Sequence, residues 1–123
     1  MASIEFETAR KWFTELRDQL VKSLEDLDTD KFSITEWDHH EGGGGKMSKL
    51  KGSIIEKGVV NISSVAGKFE ESMVGKVPGT ENNPSYKATG ISVVLHLHSP
   101  HIPSMHFNTR YLETEQQLFL ITI

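Results

Sequence analysis

The N-terminal part of the chain places apolar residues at the spacing of a helix. Between residues 4 and 28 they recur every three or four positions, which is the period of one helical face. Ser3 is a suitable N-cap, and Glu5 and Glu7 suit the positive end of the helix dipole. We therefore predict one amphipathic helix over 4–28. Its apolar stripe comprises Ala9, Trp12, Phe13, Leu16, Leu20, Leu24 and Leu27.

The rest of the chain changes to the spacing of β-strands. The predicted strands cover 31–37, 46–50, 53–65, 90–98 and 104–113. The four consecutive glycines are interpreted as a loop, Lys51-Gly52 as a turn, and 66–87 as mostly loop. The last two strands alternate strictly around a short turn with two prolines, which predicts an antiparallel hairpin. The predicted fold class is α+β, with the N-terminal helix packed on a mainly antiparallel sheet.

The amino-acid composition argues against several classes of function. The 123 residues fit one domain, and the formal net charge is −4. With no cysteine, the chain has no disulfide, thiolate metal site or cysteine nucleophile, which fits the cytoplasm. Lys and Arg form no stripe interleaved with aromatics, so nucleic-acid binding is not expected. The N-terminus does not resemble a signal peptide, and no apolar run approaches the ~18–20 residues of a membrane span.

The stretch "GGGGKMSKL" suggests a nucleotide site but fails the spacing test. A phosphate-binding P-loop needs glycine five positions before Gly45 and a hydroxyl residue after Lys46, and the chain has His40 and Met47 there. The letters KMSKL also resemble a mobile loop of class I aminoacyl-tRNA synthetases. No βαβ pattern surrounds them. We therefore do not predict nucleotide binding.

Four histidines lie within eleven residues, at 96, 98, 101 and 106. Alternate positions on a strand share a face, so His96 and His98 could hold one metal ion, with His106 added from the facing strand. This gives the hypothesis of a small histidine-based metal-binding β protein. The alternative is a surface turn that is simply rich in histidine.

One face of the predicted hairpin carries an unusual polar set. Its members are Ser92, His96, His106, Asn108 and Arg110. A guanidinium binds carboxylates with two parallel hydrogen bonds, an amide can donate beside it, and an imidazole can move protons near neutral pH. The set predicts an anionic, carboxylate-bearing ligand that needs acid–base help. The alternative is an internal polar network between sheet and helix.

Two segments resemble the oxygen-dependent coproporphyrinogen III oxidase family. They are "EGGGGKMSKLKGSIIEKGVVNIS", preceded by a tryptophan, and "GISVVLHLHSPHIPSMHFNTRY". The second matches the long family motif at Gly90, Ser92, His96, Pro100, Pro103, His106, Asn108, Arg110 and Tyr111. The resemblance extends from the N-terminal helix to about Gln117.

The resemblance implies an activity and roles for residues. Members of the family oxidatively decarboxylate two propionates of coproporphyrinogen III to vinyl groups, with O2 as acceptor, and give protoporphyrinogen IX. No organic cofactor is implied, and a divalent metal on His96 and His106 is left open. By motif, His106 is the acid–base residue. The substrate-binding residues are Ser92, Asn108, Thr109 and Arg110.

The chain also departs from the family pattern. His39 stands where an arginine is common, and Ala66 stands where a histidine is common. The family's later segment with a catalytic aspartate does not occur in these 123 residues, so we expect a single truncated domain over 1–123. An alternative function is therefore an inactive remnant of the enzyme. An incomplete sheet would expose an edge at "LFLITI", which predicts association into a homo-oligomer.

Overall fold

The computed structural model describes residues 4–28, 30–38, 42–73, 76, 84–114 and 118–122. Within these ranges the chain forms one α-helix, one short 3-10 helix and an antiparallel sheet of six strands in chain order. The elements are α1 (Ile4–Leu27), β1 (Ser33–Asp38), β2 (Gly43–Leu50), β3 (Ile55–Lys68), the 3-10 helix (Glu71–Met73), β4 (Ser85–Leu97), β5 (Met105–Thr114) and β6 (Leu118–Thr122).

The predicted helix and the α+β class are confirmed. The helix α1 lies across β3, β4 and β5, and the core between them is centred on Phe13, Val60, Ile91 and Val93. Within the described residues no helix combines the length and apolarity needed to cross a membrane.

The predicted apolar stripe is wrong at two positions. Trp12 is 56% exposed and Leu27 is 58% exposed. Trp12 lies one residue, or about 100°, around the helix from buried Phe13, so its ring packs edge-on beside Phe13 instead of entering the core. Leu27 is the last helical residue, and the next residue, Asp28, takes the buried position.

The predicted glycine loop is also wrong. Gly43, Gly44 and Gly45 belong to β2, where they pair with residues 63–65 of β3. Glycine carries no side chain, so a strand made of glycines shows no alternation in the sequence. The backbone needs glycine here: φ is +86° at Gly43, and a Cβ there would meet the Ser64 carbonyl of the neighbouring strand.

The two long strands extend into the segment predicted to be mostly loop. β3 continues to Lys68 and β4 begins at Ser85, and these residues pair with each other. The hairpin of β4 and β5 is confirmed. The terminal apolar segment does form an edge strand, since β6 pairs only with β5 within the described sheet.

Candidate functional site

The sheet has two sides, and its register assigns residues to each. Directly paired residues of an antiparallel sheet point to the same side. Val60, Val93 and Phe107 lie in one such row and contribute to the core under α1. The neighbouring row must therefore point away from α1. We call the side opposite α1 the open face.

Five of the predicted site residues lie on the open face. Asn108 is the direct partner of Ser92 across the β4–β5 pair. Arg110 and His106 are two residues from Asn108 in opposite directions along β5, about 7 Å along the strand. His96 follows two residues after Val94, the partner of His106. The alternative of a polar network between sheet and helix is wrong, because α1 packs on the other side.

A cavity of about 190 Å³ opens at Ser92, Asn108 and Arg110, and neither His96 nor His106 belongs to its lining. Its lining consists of Asn61, Ser63, Gly90, Ile91, Ser92, Asn108 and Arg110. Hydroxyl and amide groups surround one guanidinium, and no carboxylate belongs to the lining. The cavity can therefore donate several hydrogen bonds to a negatively charged group.

Thr109 does not join this group of side chains. Its register partner on β4 is Ile91, a core residue that is 1% exposed. The side chain of Thr109 consequently belongs to the side of the sheet that carries α1. Its substrate-binding role remains a prediction.

The sequence analysis missed three residues on the open face. Asn61 and Ser63 of β3 line the cavity, and the Trp37 indole Nε1–H donates a 3.4 Å hydrogen bond to Asn61 Oδ1. A Cβ on Gly45 would come within 2.6 Å of the Trp37 ring, so the indole lies directly over that glycine. The available signal was the pair of polar residues at alternate positions within the apolar run "VVNISSV".

The histidine-only metal site does not form among the described residues. His98 lies beyond β4, and its ring Nε2 makes a 2.8 Å hydrogen bond with the Gly52 carbonyl. His96 and His106 are diagonal neighbours, about 7–8 Å apart at Cα. The described part of the chain contains no group of three or more His, Asp or Glu residues placed to share a metal ion. The role of His96 and His106 as metal ligands remains a prediction.

The charge on the open face contrasts with that of the whole chain. Among the residues of β1–β5 with a register partner, that face carries Lys49, Lys57 and Arg110 but no Asp or Glu. Glu36 and Glu113 occupy the helix side, each opposite a lysine. The protein is acidic overall, at −4, yet this side of the sheet is cationic.

Comparison with known proteins agrees with the motifs on this face. The model of a family described as coproporphyrinogen III oxidase matches residues 8–121. The chain belongs to the coproporphyrinogen III oxidase family. Curated members similar to it are named oxygen-dependent coproporphyrinogen-III oxidase. Those from Rickettsia felis and Rickettsia akari are each 46% identical, and that from Rickettsia bellii is 43% identical, over 92% of this chain.

The similarity to the coproporphyrinogen III oxidase family extends over only part of the length of the family enzymes. The chain spans 44% of the length of these curated relatives. The family match over residues 8–121 contains α1 from residue 8 onward and the strands that line the cavity.

Proposed function

We propose that the open face is the substrate-binding surface of an oxygen-dependent coproporphyrinogen III oxidase of porphyrin biosynthesis. In the proposed reaction two propionate side chains each lose CO2 and one hydride equivalent and become vinyl groups. One O2 accepts the two hydride equivalents, together with two protons from solvent, and forms two molecules of water. The product is protoporphyrinogen IX.

The observation that carries the proposal is the cationic cavity, whose described lining contains Arg110 and no carboxylate. A cavity of about 190 Å³ is smaller than a site for a whole drug-sized ligand, so it fits one propionate arm rather than the macrocycle. Arg110 supplies the paired donors that suit a carboxylate, and Ser92 and Asn108 lie beside it. Substrate would therefore bind by one propionate in the cavity, with its ring across the sheet.

His106 is proposed as the acid–base residue. It is exposed on the open face, about 7 Å along β5 from Asn108. A propionate held by Asn108 and Arg110 would place its carbon chain within reach of this imidazole. The role of the imidazole would be to move the proton released at the side chain or at the pyrrole nitrogen.

The remaining cations suit a substrate with four propionates. Lys49 and Lys57 project from β2 and β3 on the same face, further along the strands than the cavity. Coulomb attraction to several carboxylates at once would orient the macrocycle and raise its rate of encounter. The absence of acidic side chains at the paired positions of this face, within β1–β5, removes repulsion.

Cofactor, location and assembly follow as parts of the proposal. No organic cofactor is invoked, and a divalent metal at His96 and His106 would need further ligands, so no step is assigned to it. Cytoplasmic location is proposed from the cysteine-free composition. Homo-oligomer formation is proposed from the edge strands β1 and β6 and is tested by light scattering over a range of concentrations.

Turnover with coproporphyrinogen III tests the function. The protein is incubated with the substrate in air and under argon, and the product is oxidised and measured by protoporphyrin fluorescence. We expect oxygen-dependent product from the parent protein and at least a hundredfold less from His106→Ala, as for loss of a general acid–base. Equal rates in the two proteins would reject the proposal.

Binding without turnover is the second candidate. The 44% span of the relatives favours it, since catalytic groups of the family enzyme can lie in the other part. Titration with coproporphyrin III, the oxidised porphyrin with the same four propionates, separates the two candidates. Saturable binding with no product would support a binding role and exclude the oxidase role for this chain alone.

A further inference from the structure

The hydrogen bond between Trp37 and Asn61 determines which atoms Asn61 presents to the cavity. An indole N–H can only donate, so the Asn61 atom that faces it must be the carbonyl oxygen. The amide NH2 group of Asn61 then points away from the indole. Because Asn61 lines the cavity, its two N–H donors are available there.

The position of Trp37 is itself tightly defined. Its ring lies over Gly45, where a Cβ would come within 2.6 Å of the indole carbons. Trp37 and Gly45 are register partners in β1 and β2, and the Trp37 side chain is half-buried. An aromatic ring held in this way loses little entropy when it orients a neighbouring amide.

Asn61 also lies in the same cross-strand row as two predicted substrate-binding residues. Its register partner is Ser92, and the partner of Ser92 is Asn108. With Asn61 oriented by Trp37, this row presents a hydroxyl between two amides on the floor beside Arg110. Three strands therefore contribute donors to one small cavity.

We infer that Asn61 is a further carboxylate-binding residue of the site, and that Trp37 is a positioning residue that keeps the Asn61 amide in its donating orientation. The inference rests on the proposed function in one respect, namely that the ligand is a porphyrinogen propionate. Neither residue takes part in a covalent step. Their contribution is to the affinity and orientation of the carboxylate arm.

Binding of coproporphyrin III by the full chain tests the role of Asn61. Asn61→Ala should raise the Kd about tenfold or more, the effect of losing one hydrogen bond to a charged group. Asn61→Asp should raise it further, because an isosteric carboxylate would repel the propionate. The control is Thr35→Asp, which adds the same charge in the same row two strands away, about 10 Å from Asn61. It should have a much smaller effect.

A double-mutant cycle tests the role of Trp37. Trp37→Phe keeps an aromatic ring over Gly45 but removes the donor, so the amide of Asn61 can turn and the Kd should rise about threefold to tenfold. In the Asn61→Ala background the same change should have no further effect on Kd. Thermal unfolding of each variant shows whether folding is intact. A purely structural Trp37 would instead give equal effects in both backgrounds.

Fluorescence gives an independent measure of the same site. The chain has two tryptophans, and Trp12 is exposed on α1, on the other side of the sheet. In a Trp12→Phe protein the remaining emission comes from Trp37, and bound coproporphyrin III should quench it with the same Kd as the titration. Trp12→Phe should leave that Kd unchanged.

The outcomes separate the inference from the proposed function. Asn61-dependent binding with no turnover would support the inference and reject the oxidase role of the chain alone. Turnover that is insensitive to Asn61→Ala and Asn61→Asp would support the function and overturn the inference. Absence of coproporphyrin III binding by the parent protein would overturn both.

Discussion

Substitution of the Asp28 carboxylate should lower the free energy of unfolding strongly. Asp28 follows α1 directly, is 5% exposed, and accepts hydrogen bonds from the backbone N–H groups of Ser53 (3.1 Å), Ile54 (3.0 Å) and Ile55 (2.8 Å). The Ser53 hydroxyl donates a fourth bond of 3.2 Å. Asp28 thus joins the end of the helix to the turn between β2 and β3.

The substitution Asp28→Asn keeps the shape of the side chain and replaces one acceptor oxygen by a donor. Oδ1 receives both Ser53 bonds, and Oδ2 receives those of Ile54 and Ile55. The amide should keep its oxygen toward Ile55, which is fully buried, because Ser53 is exposed and water can reach its donors. Loss of the two Ser53 bonds should cost about 2–3 kcal/mol.

The substitution Asp28→Ala removes every acceptor. It leaves the buried Ile55 N–H without a partner, which adds about 1–3 kcal/mol, so the total loss should be about 3–6 kcal/mol. At roughly 4 °C per kcal/mol for a chain of this size, the melting temperature should fall by about 10 °C for the Asn variant. The Ala variant should fall by about twice as much.

Urea unfolding followed by circular dichroism measures these losses. The matched control is Asp26→Asn, an exposed aspartate in the last turn of the same helix, which should change the free energy of unfolding by less than about 0.5 kcal/mol. If Asp28→Asn and Asp26→Asn unfold at the same urea concentration with equal slopes, the account of Asp28 as an anchor is refuted.

Gly52 provides a second measurement of the same contact. A Cβ on Gly52 would overlap the Asp28 carboxylate, so Gly52→Ala should destabilise the parent protein. In the Asp28→Ala background that overlap is absent, and the same substitution should have a smaller effect. Equal effects in both backgrounds would show that the carboxylate does not occupy this position.

Three further predictions concern the core, the glycine strand and the charge of the open face. Phe13→Ala should cost about 3–5 kcal/mol of stability, whereas Trp12→Ala, a larger deletion from an exposed position, should cost less in the same urea titration. Gly45→Ala should displace the Trp37 ring and shift its fluorescence spectrum; an unchanged spectrum would contradict the contact. Lys49→Glu and Lys57→Glu should weaken coproporphyrin III binding more at low than at high ionic strength, and salt-independent effects would argue against an electrostatic role.

The elements with strong periodicity were predictable from the sequence. The helix was predicted over 4–28 and runs over Ile4–Leu27, and the hairpin strands agree within a few residues except at the start of β4. In these segments the burial of one face determines where apolar residues occur, so their spacing predicts the type of element. The open-face location of Ser92, Asn108 and Arg110 relative to one another followed from strand alternation.

The glycine-rich start of β2, the start of β4 and the contact of Trp37 with Asn61 were not predictable in the same way. β2 begins with three glycines, whose missing side chains leave no alternation to read. The start of β4 at Ser85 lies in a stretch rich in turn residues, and its pairing with Lys68 depends on the sheet rather than on local preference. The contact of Trp37 with Asn61 joins residues 24 positions apart in the chain, so it depends on register across β1, β2 and β3.

The register also explains why two motifs far apart in the sequence form one surface. Trp37, Gly45, Ser63, Gly90 and Arg110 form a single row across five strands. The three central residues of that row are glycine or serine. Their small side chains leave a depression in the surface between the large indole of Trp37 at one end and the guanidinium of Arg110 at the other. At Gly90 a Cβ would come within 2.5 Å of the Thr109 carbonyl, so the backbone requires the small residue there. The concavity therefore results from missing side chains in the row, and the donors of the neighbouring row, Asn61, Ser92 and Asn108, become accessible from its side.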